Sequence, residues 1–401
     1  MLQRSKKMRL LAWIPENHAD MVGYKYSSLD NPAGQIRLFK IEASNPNDVP
    51  SGSLEVFDLQ RLPPYIALSY TWGTTDNLKA INIQGQPYIV RRNLFEFLET
   101  YSKILSRGPG SFNLSKPLLP YLWIDQLCIN QKDTRERSSQ TRMMCTIYQQ
   151  AALVVAWLEN AGRETDDAFF AIEQLRPQRH PLLQLASHQY WSRLWIVQEL
   201  LLAKIILVVT KNWTLPFAKL SHYHLHWGSD VDRPGSHDPP ITDYHHLLRL
   251  RKLETYIMAR QKIDHEVVAS RLSFDQAIRQ FCDNKCADSR DKVYGLLGVM
   301  KDEQIVRIDY KKSVRGVFDD AIRVMVGLVL IQASLPALHE MRKRVAAKES
   351  IISSHSRNTL LILGFEMGVG RRRYGAWLFR DIQRISREEV EGFIAIEENS
   401  S

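Results

Sequence analysis

The chain has 401 residues, 44% of them hydrophobic and 24% charged, with a formal net charge of +9. That balance excludes an intrinsically disordered chain, and the length allows a large core with room for more than one domain. The basic excess is scattered, as at Arg342–Arg344 and Arg371–Arg373, with no helix-turn-helix or aromatic RNA-binding signature, which argues against specific nucleic-acid binding. The four cysteines are too few and too dispersed for a disulfide framework. No apolar run is long enough to span a bilayer, and the basic N-terminus lacks the apolar stretch of a signal peptide. The expectation is a cytosolic protein.

In chain order, alternating runs at Ile36–Ile41 and Leu54–Leu59 predict a pair of strands around the turn-rich SNPNDVPSGS. YIALSY (Tyr65–Tyr70) reads as a buried strand, and INIQGQPYIV as a hairpin turning at Gly85. A helix is predicted from Asn93 to about Ser106. Tyr121–Asp125 is a second apolar strand, and Asp133 with Glu136 has the spacing of a capping box for the helix that follows. Ala152–Leu158 is a third continuous apolar run, as expected of a strand covered on both faces. YWSRLWIVQEL (Tyr190–Leu200) opens a helical pattern that continues into apolar residues, before a further strand at Ile205–Thr210. Strands alternating with helices predict an α/β fold with a largely parallel sheet, and such sheets bind ligands outside the carboxyl ends of their strands.

Beyond Asn212 the pattern turns loop-rich and then helical. His222, His224 and His226 would share one face of a strand and could ligate a metal there, but a polar loop explains them more simply. Helices are predicted at Tyr244–Arg260, Phe274–Phe281 and Phe318–Leu330, with a capped helix in CADSRDKVYGLLGVM. Asp309-Tyr310 reads as a strand end, and the acidic, serine-bearing C-terminus as a frayed tail. The domain reading is an N-terminal extension (1–35), an α/β domain (36–210), a loop-rich linker (211–245), a helical region (246–340), and a basic then acidic tail (341–401).

Three long segments, YIALSYTWG, LWIDQLCINQKDTRERSSQTRMMCTIYQQAALVVAWL and YWSRLWIVQEL, resemble the fungal heterokaryon incompatibility (HET) domain in sequence and order. CADSRDKVYGLLG resembles the segment that commonly follows. That family is similar in turn to Toll/interleukin-1 receptor (TIR) domains, which implies a TIR-like, flavodoxin-like core. It also implies a part in non-self recognition and programmed cell death, with self-association and an unidentified protein trigger. In SRLWIVQEL the Ser, Trp and Glu spacing of the TIR catalytic helix is kept, and Ile196 stands where those domains carry cysteine.

The resemblance implies NAD as a substrate rather than a bound cofactor, with Glu199 stabilising the ribosyl cation as the nicotinamide bond breaks. The alternative is a structural glutamate paired with Arg193. Ser192, Arg193, Trp195, Tyr70 and Trp72 are candidate substrate contacts, the two tryptophans as stacking surfaces or as core. Asp125, Asn130 and Gln131 follow a strand end and could hold a ribose or fix their own turn. Arg135, Arg137 and Arg142 are either phosphate contacts or a solvated helix face. Cys128 has no histidine in the adjacent motifs to act as base, so a buried thiol is the simpler reading than a nucleophile. Two non-enzymatic alternatives stay open: a signalling and assembly module, or an accessory protein of another programme such as a specialised-metabolite locus.

Overall fold

The computed structural model describes residues 23–43, 48–107, 119–159, 161–175, 180–227, 244–265, 272–301, 306–369 and 376–400. The basic N-terminal segment, the GSDVDRPGSHDPP stretch and Arg371–Arg373 lie outside them. The chain divides into two compact units, residues 1–191 with 202–261, and residues 192–201 with 262–401.

The first unit is built on a nine-stranded sheet. Its strands are β1 (Gln35–Ile41), β2 (Ser51–Asp58), β3 (Ile66–Tyr70), β4 (Leu78–Ile83), β5 (Gln86–Arg91), β6 (Tyr121–Trp123), β7 (Leu153–Trp157), β8 (Ile206–Val209) and β9 (Thr214–Pro216), in the spatial order β5-β4-β2-β1-β6-β3-β7-β8-β9. The four central strands β6, β3, β7 and β8 are parallel. Every residue of β3 and β8 is buried, which is why both read as unbroken apolar runs.

The sheet as a whole is mixed, which corrects the largely parallel expectation. β1 pairs antiparallel with β2 and β6, β4 with β5, and β8 with β9. A hairpin needs only a short turn, and β5 and β9 follow their partners after such turns. At Gln84 and Gly85 φ is 51° and 82°, the left-handed pair that matches a two-residue turn to strand twist.

Helices α1 (Arg92–Arg107), α2 (Asp125–Cys128), α3 (Thr134–Gln150), α4 (Arg163–Glu173) and α5 (His180–Ala186) connect these strands. On α1 the residues Leu94, Phe97, Leu98 and Tyr101 are buried, a helical stripe at i, i+3, i+4 and i+7. Asp133 caps α3 by accepting from the backbone N–H groups of Arg135 and Glu136. Glu136 does not complete the predicted capping box. Its carboxylate accepts from Arg37 Nη1 and Nη2 at 2.6 and 3.0 Å and from the Asn130 amide at 2.7 Å. Arg37 lies on β1 with 1% exposure, and a buried guanidinium requires that anion more than the helix start requires a second cap.

The second unit holds α6 (Ile196–Leu201), α9 (Phe274–Phe281), α10 (Asp291–Tyr294), α11 (Val314–Leu330), α12 (Leu335–Ala346), α13 (Ser354–Glu366) and α14 (Ala376–Ser400); α7 (Phe217–Trp227) and α8 (Tyr244–His265) precede α9 in the chain. The C-terminal region is thus helical. Asp309 and Tyr310 sit in a turn rather than a strand. Helix α14 runs to Ser400, so the stretch read as a frayed tail is helical up to that residue; earlier on the helix Glu388 and Glu389 bond Arg323 on α11, and Asp381 pairs with Arg315. Among the described residues no helix is long and apolar enough to cross a membrane.

Candidate functional site

In the first unit the predicted residues gather at the carboxyl ends of β3 and β6. Tyr70 closes β3, is buried, and donates to Gln126 Oε1 at 3.0 Å. Trp72 donates its indole N–H to Asp125 Oδ2 at 2.7 Å, while Asp125 Oδ1 accepts from the Gln126 amide. Gln131 donates to the Asp125 carbonyl at 2.8 Å. Asn130 accepts from the Lys132 amide and donates its own amide to Glu136, so its groups set the turn into α3.

Two residues of this network escaped the sequence reading. Arg91 places its guanidinium 5.1 Å from the centroid of the Trp72 ring and donates to the Gly73 carbonyl. Asn93 donates to the Thr71 carbonyl at 2.9 Å. Gly73 has φ 79°, and a Cβ there would meet Asn93 Nδ2 at 2.7 Å, so this turn demands glycine. The hairpin β4–β5 carries Arg91 to the Trp72 loop, a pairing no local pattern announces. A cleft of ≈ 200 Å³ beyond the ends of β7 and β8 is lined by Arg92, Glu96, Trp157, Leu158, Ala161 and Lys211.

The remaining predicted residues, Ser192, Arg193, Trp195 and Glu199, belong to the second unit. Helix α6 ends at Leu201 and does not continue into the following apolar stretch, where Ile206–Val209 is strand β8. Glu199 is 2% exposed, and its Oε2 lies 3.5 Å from Arg193 Nη1. The segment is stitched to residues 284–295: Lys285 donates to the Ser192 carbonyl and accepts from the Leu194 amide, and Asn284 donates to the Arg193 carbonyl. Gln198 Nε2 donates to the Gly295 carbonyl at 3.0 Å.

Trp195 donates its indole N–H to Asp291 Oδ2 at 3.3 Å, and Tyr310 donates to Asp291 Oδ1 at 2.7 Å. Asp291 is the notable titratable group of this unit. Burial lifts its carboxyl to about 6, against the lowering effect of the Tyr310 bond. Asp288 adds like-charge repulsion, and the Trp195 bond and Arg290 oppose it. Perturbed carboxylates cluster at functional sites. The RDKVYGLLG motif around Asp291 stood out in the sequence, but the role of the aspartate did not.

Cys128 is buried, and burial pushes its thiol up to about 12, the opposite of an activated nucleophile. The expected outcome is that iodoacetamide at pH 8 leaves Cys128 unmodified in the folded chain by peptide mass mapping; prompt alkylation would restore the nucleophile reading. His222, His224 and His226 sit on helix α7, neither on a strand nor in the polar loop that the sequence favoured. Burial lowers the pKa of His224. Among the described residues no group of three or more His, Cys, Asp or Glu is arranged to hold a metal. Arg135, Arg137 and Arg142 are exposed along α3, as a solvated face requires.

These features define an α/β domain with a polar network at its strand ends, joined in sequence to a helical region. Residues 65–199 of the chain match the family described as heterokaryon incompatibility protein (HET). The Heterokaryon incompatibility protein 6, OR allele, of Neurospora crassa is 31% identical over 194 residues, covering 46% of this chain and 27% of that relative. The chain therefore spans about a quarter of the relative's length. No solved structure matches the chain.

Proposed function

We propose that this chain acts in heterokaryon incompatibility, in non-self recognition leading to programmed cell death, and that its HET domain does so by cleaving NAD at the nicotinamide–ribose bond. The observation that carries this reading is the family match over residues 65–199, whose last residue is Glu199. The name of the Neurospora relative supports the biological role. A TIR-like relation is supported by the parallel strands, which taken in chain order lie second-first-third-fourth across the sheet, the flavodoxin-like arrangement.

Chemically, departure of nicotinamide leaves a ribosyl cation, and a carboxylate held out of water stabilises developing positive charge far better than a solvated one. Glu199 is such a group, 2% exposed. In this reading Ser192, Arg193 and Trp195 are the substrate-binding candidates of the second unit, and Tyr70, Trp72, Asp125, Asn130 and Gln131 remain separate candidates within the first. The protein works in the cytosol and self-associates on receiving its trigger.

The test uses the full chain incubated with NAD under crowding conditions, with nicotinamide followed by chromatography and folded Glu199→Gln run alongside. Release that falls by roughly 100-fold or more in the variant is the expected result. Absence of release from folded, assembled wild type sinks the enzymatic reading. What then stands is a non-catalytic assembly module, a second reading favoured by the Arg193–Glu199 contact at 3.5 Å, which gives the glutamate a structural use.

A further inference from the structure

We infer that residues 284–295, together with Tyr310, form a platform that holds the Glu199 segment in place, with Asp291 as its positioning residue. This rests on Glu199 being the catalytic carboxylate, and it gives a role to a motif outside the family match, which ends at residue 199.

Helix α6 has six residues, well below the dozen or so at which an isolated helix becomes even marginally stable. Its geometry must therefore come from tertiary bonds. Asp291 supplies a central one, being 6% exposed and held between donors from two other stretches of chain, Tyr310 and Trp195. The backbone carbonyl of Trp195 accepts the amides of Gln198 and Glu199 at 3.1 and 3.3 Å. Fixing the Trp195 indole thus fixes the turn that aims Glu199. Gly295 lets the platform approach closely, since a Cβ there would meet the Asp291 carbonyl at 2.9 Å and the Leu194 side chain at 3.1 Å. The charged and titratable groups around Asp291 are Asp288, Arg290, Tyr310 and the Cys286 thiol.

The experiment is hydrogen exchange by mass spectrometry on the full chain, read on peptides covering residues 194–201, for wild type, Asp291→Leu, Asp291→Asn and Trp195→Phe. Nicotinamide release is measured on the same preparations. Asp291→Leu and Trp195→Phe are expected to speed exchange in that segment by about tenfold, the size of one lost hydrogen bond, while peptides from β3 and β7 stay unchanged. The kcat of Asp291→Leu falls by roughly 100-fold, the effect of a small misplacement, with KM little altered.

Asp291→Asn keeps an acceptor for the indole and an amide for the Tyr310 oxygen. It keeps the protection and the activity of wild type. Wild-type protection of residues 194–201 in folded Asp291→Leu and Trp195→Phe overturns the inference. If those variants lose protection while wild type releases no nicotinamide, the platform stands and the NAD reading falls.

Discussion

Glu136→Ala is expected to lower the unfolding free energy by about 3–5 kcal/mol, the largest single loss among the substitutions considered. The reason lies in what it leaves behind. Arg37 is 1% exposed, and both its terminal nitrogens bond Glu136. Its other partners are the carbonyls of Cys128 and Ser27 and the face of the Tyr26 ring. Those dipoles cannot replace a full counter-charge. The alanine variant also strands the Asn130 amide that Glu136 accepts. Because a desolvated pair gains little net stability over apolar residues of equal volume, Arg37→Met combined with Glu136→Leu should recover most of the loss. Urea unfolding curves of the single and double variants provide the check. A loss under about 1 kcal/mol for Glu136→Ala, typical of an exposed pair, would show that water reaches Arg37.

The second large effect depends on pH. The Asp291 carboxyl is raised from 3.8 to about 6, chiefly by burial. Its folded-state value lies above its unfolded one, so between about pH 4 and 6 the native state binds the extra proton. Stability then falls as pH rises through that window. Below it both states are protonated and no penalty remains. Above about pH 7 the cost of keeping the ionised group buried is fully present, about 3 kcal/mol for a displacement of this size. Asp291→Asn is neutral throughout, so it should exceed wild type in stability by roughly 2–3 kcal/mol at pH 7.5. The gap should close near pH 4. Denaturant midpoints across that range decide it, and a pH-independent difference would mean that Asp291 is paired well enough to stay ionised at no cost.

Much of the first unit was legible because its signals are local. YIALSY and ALVVAWL announce β3 and β7 by unbroken apolar runs, INIQGQPYIV announces its hairpin, and Asp133 announces the start of α3. Misreadings arose where two local patterns competed. The residues after Leu201 suit a helix continuation as well as a strand, and the polar histidines at 222–226 read as a loop until the apolar Phe217, Leu220 and Tyr223 bury one side of a helix. The Asp133–Glu136 spacing matched a capping box, but a partner 99 residues away claimed the glutamate.

The candidate site divides along the same line. Residue types and order in YIALSYTWG, LWIDQLCINQ and YWSRLWIVQEL were enough to single out Tyr70, Trp72, Asp125 and Glu199, because motif spacing is a property of the chain itself. Arg91 over Trp72, and Asp291 between Trp195 and Tyr310, belong to no motif of their own. Hydrophobic period and turn chemistry act over a few residues, so local patterns set the α/β elements, the buried strands and the HET-like segments. Which buried charge meets which partner depends on chain stretches tens of residues apart being desolvated together. The neutralisation of Arg37 by Glu136 and the bond from Trp195 to Asp291 arise from folding, not from any local pattern.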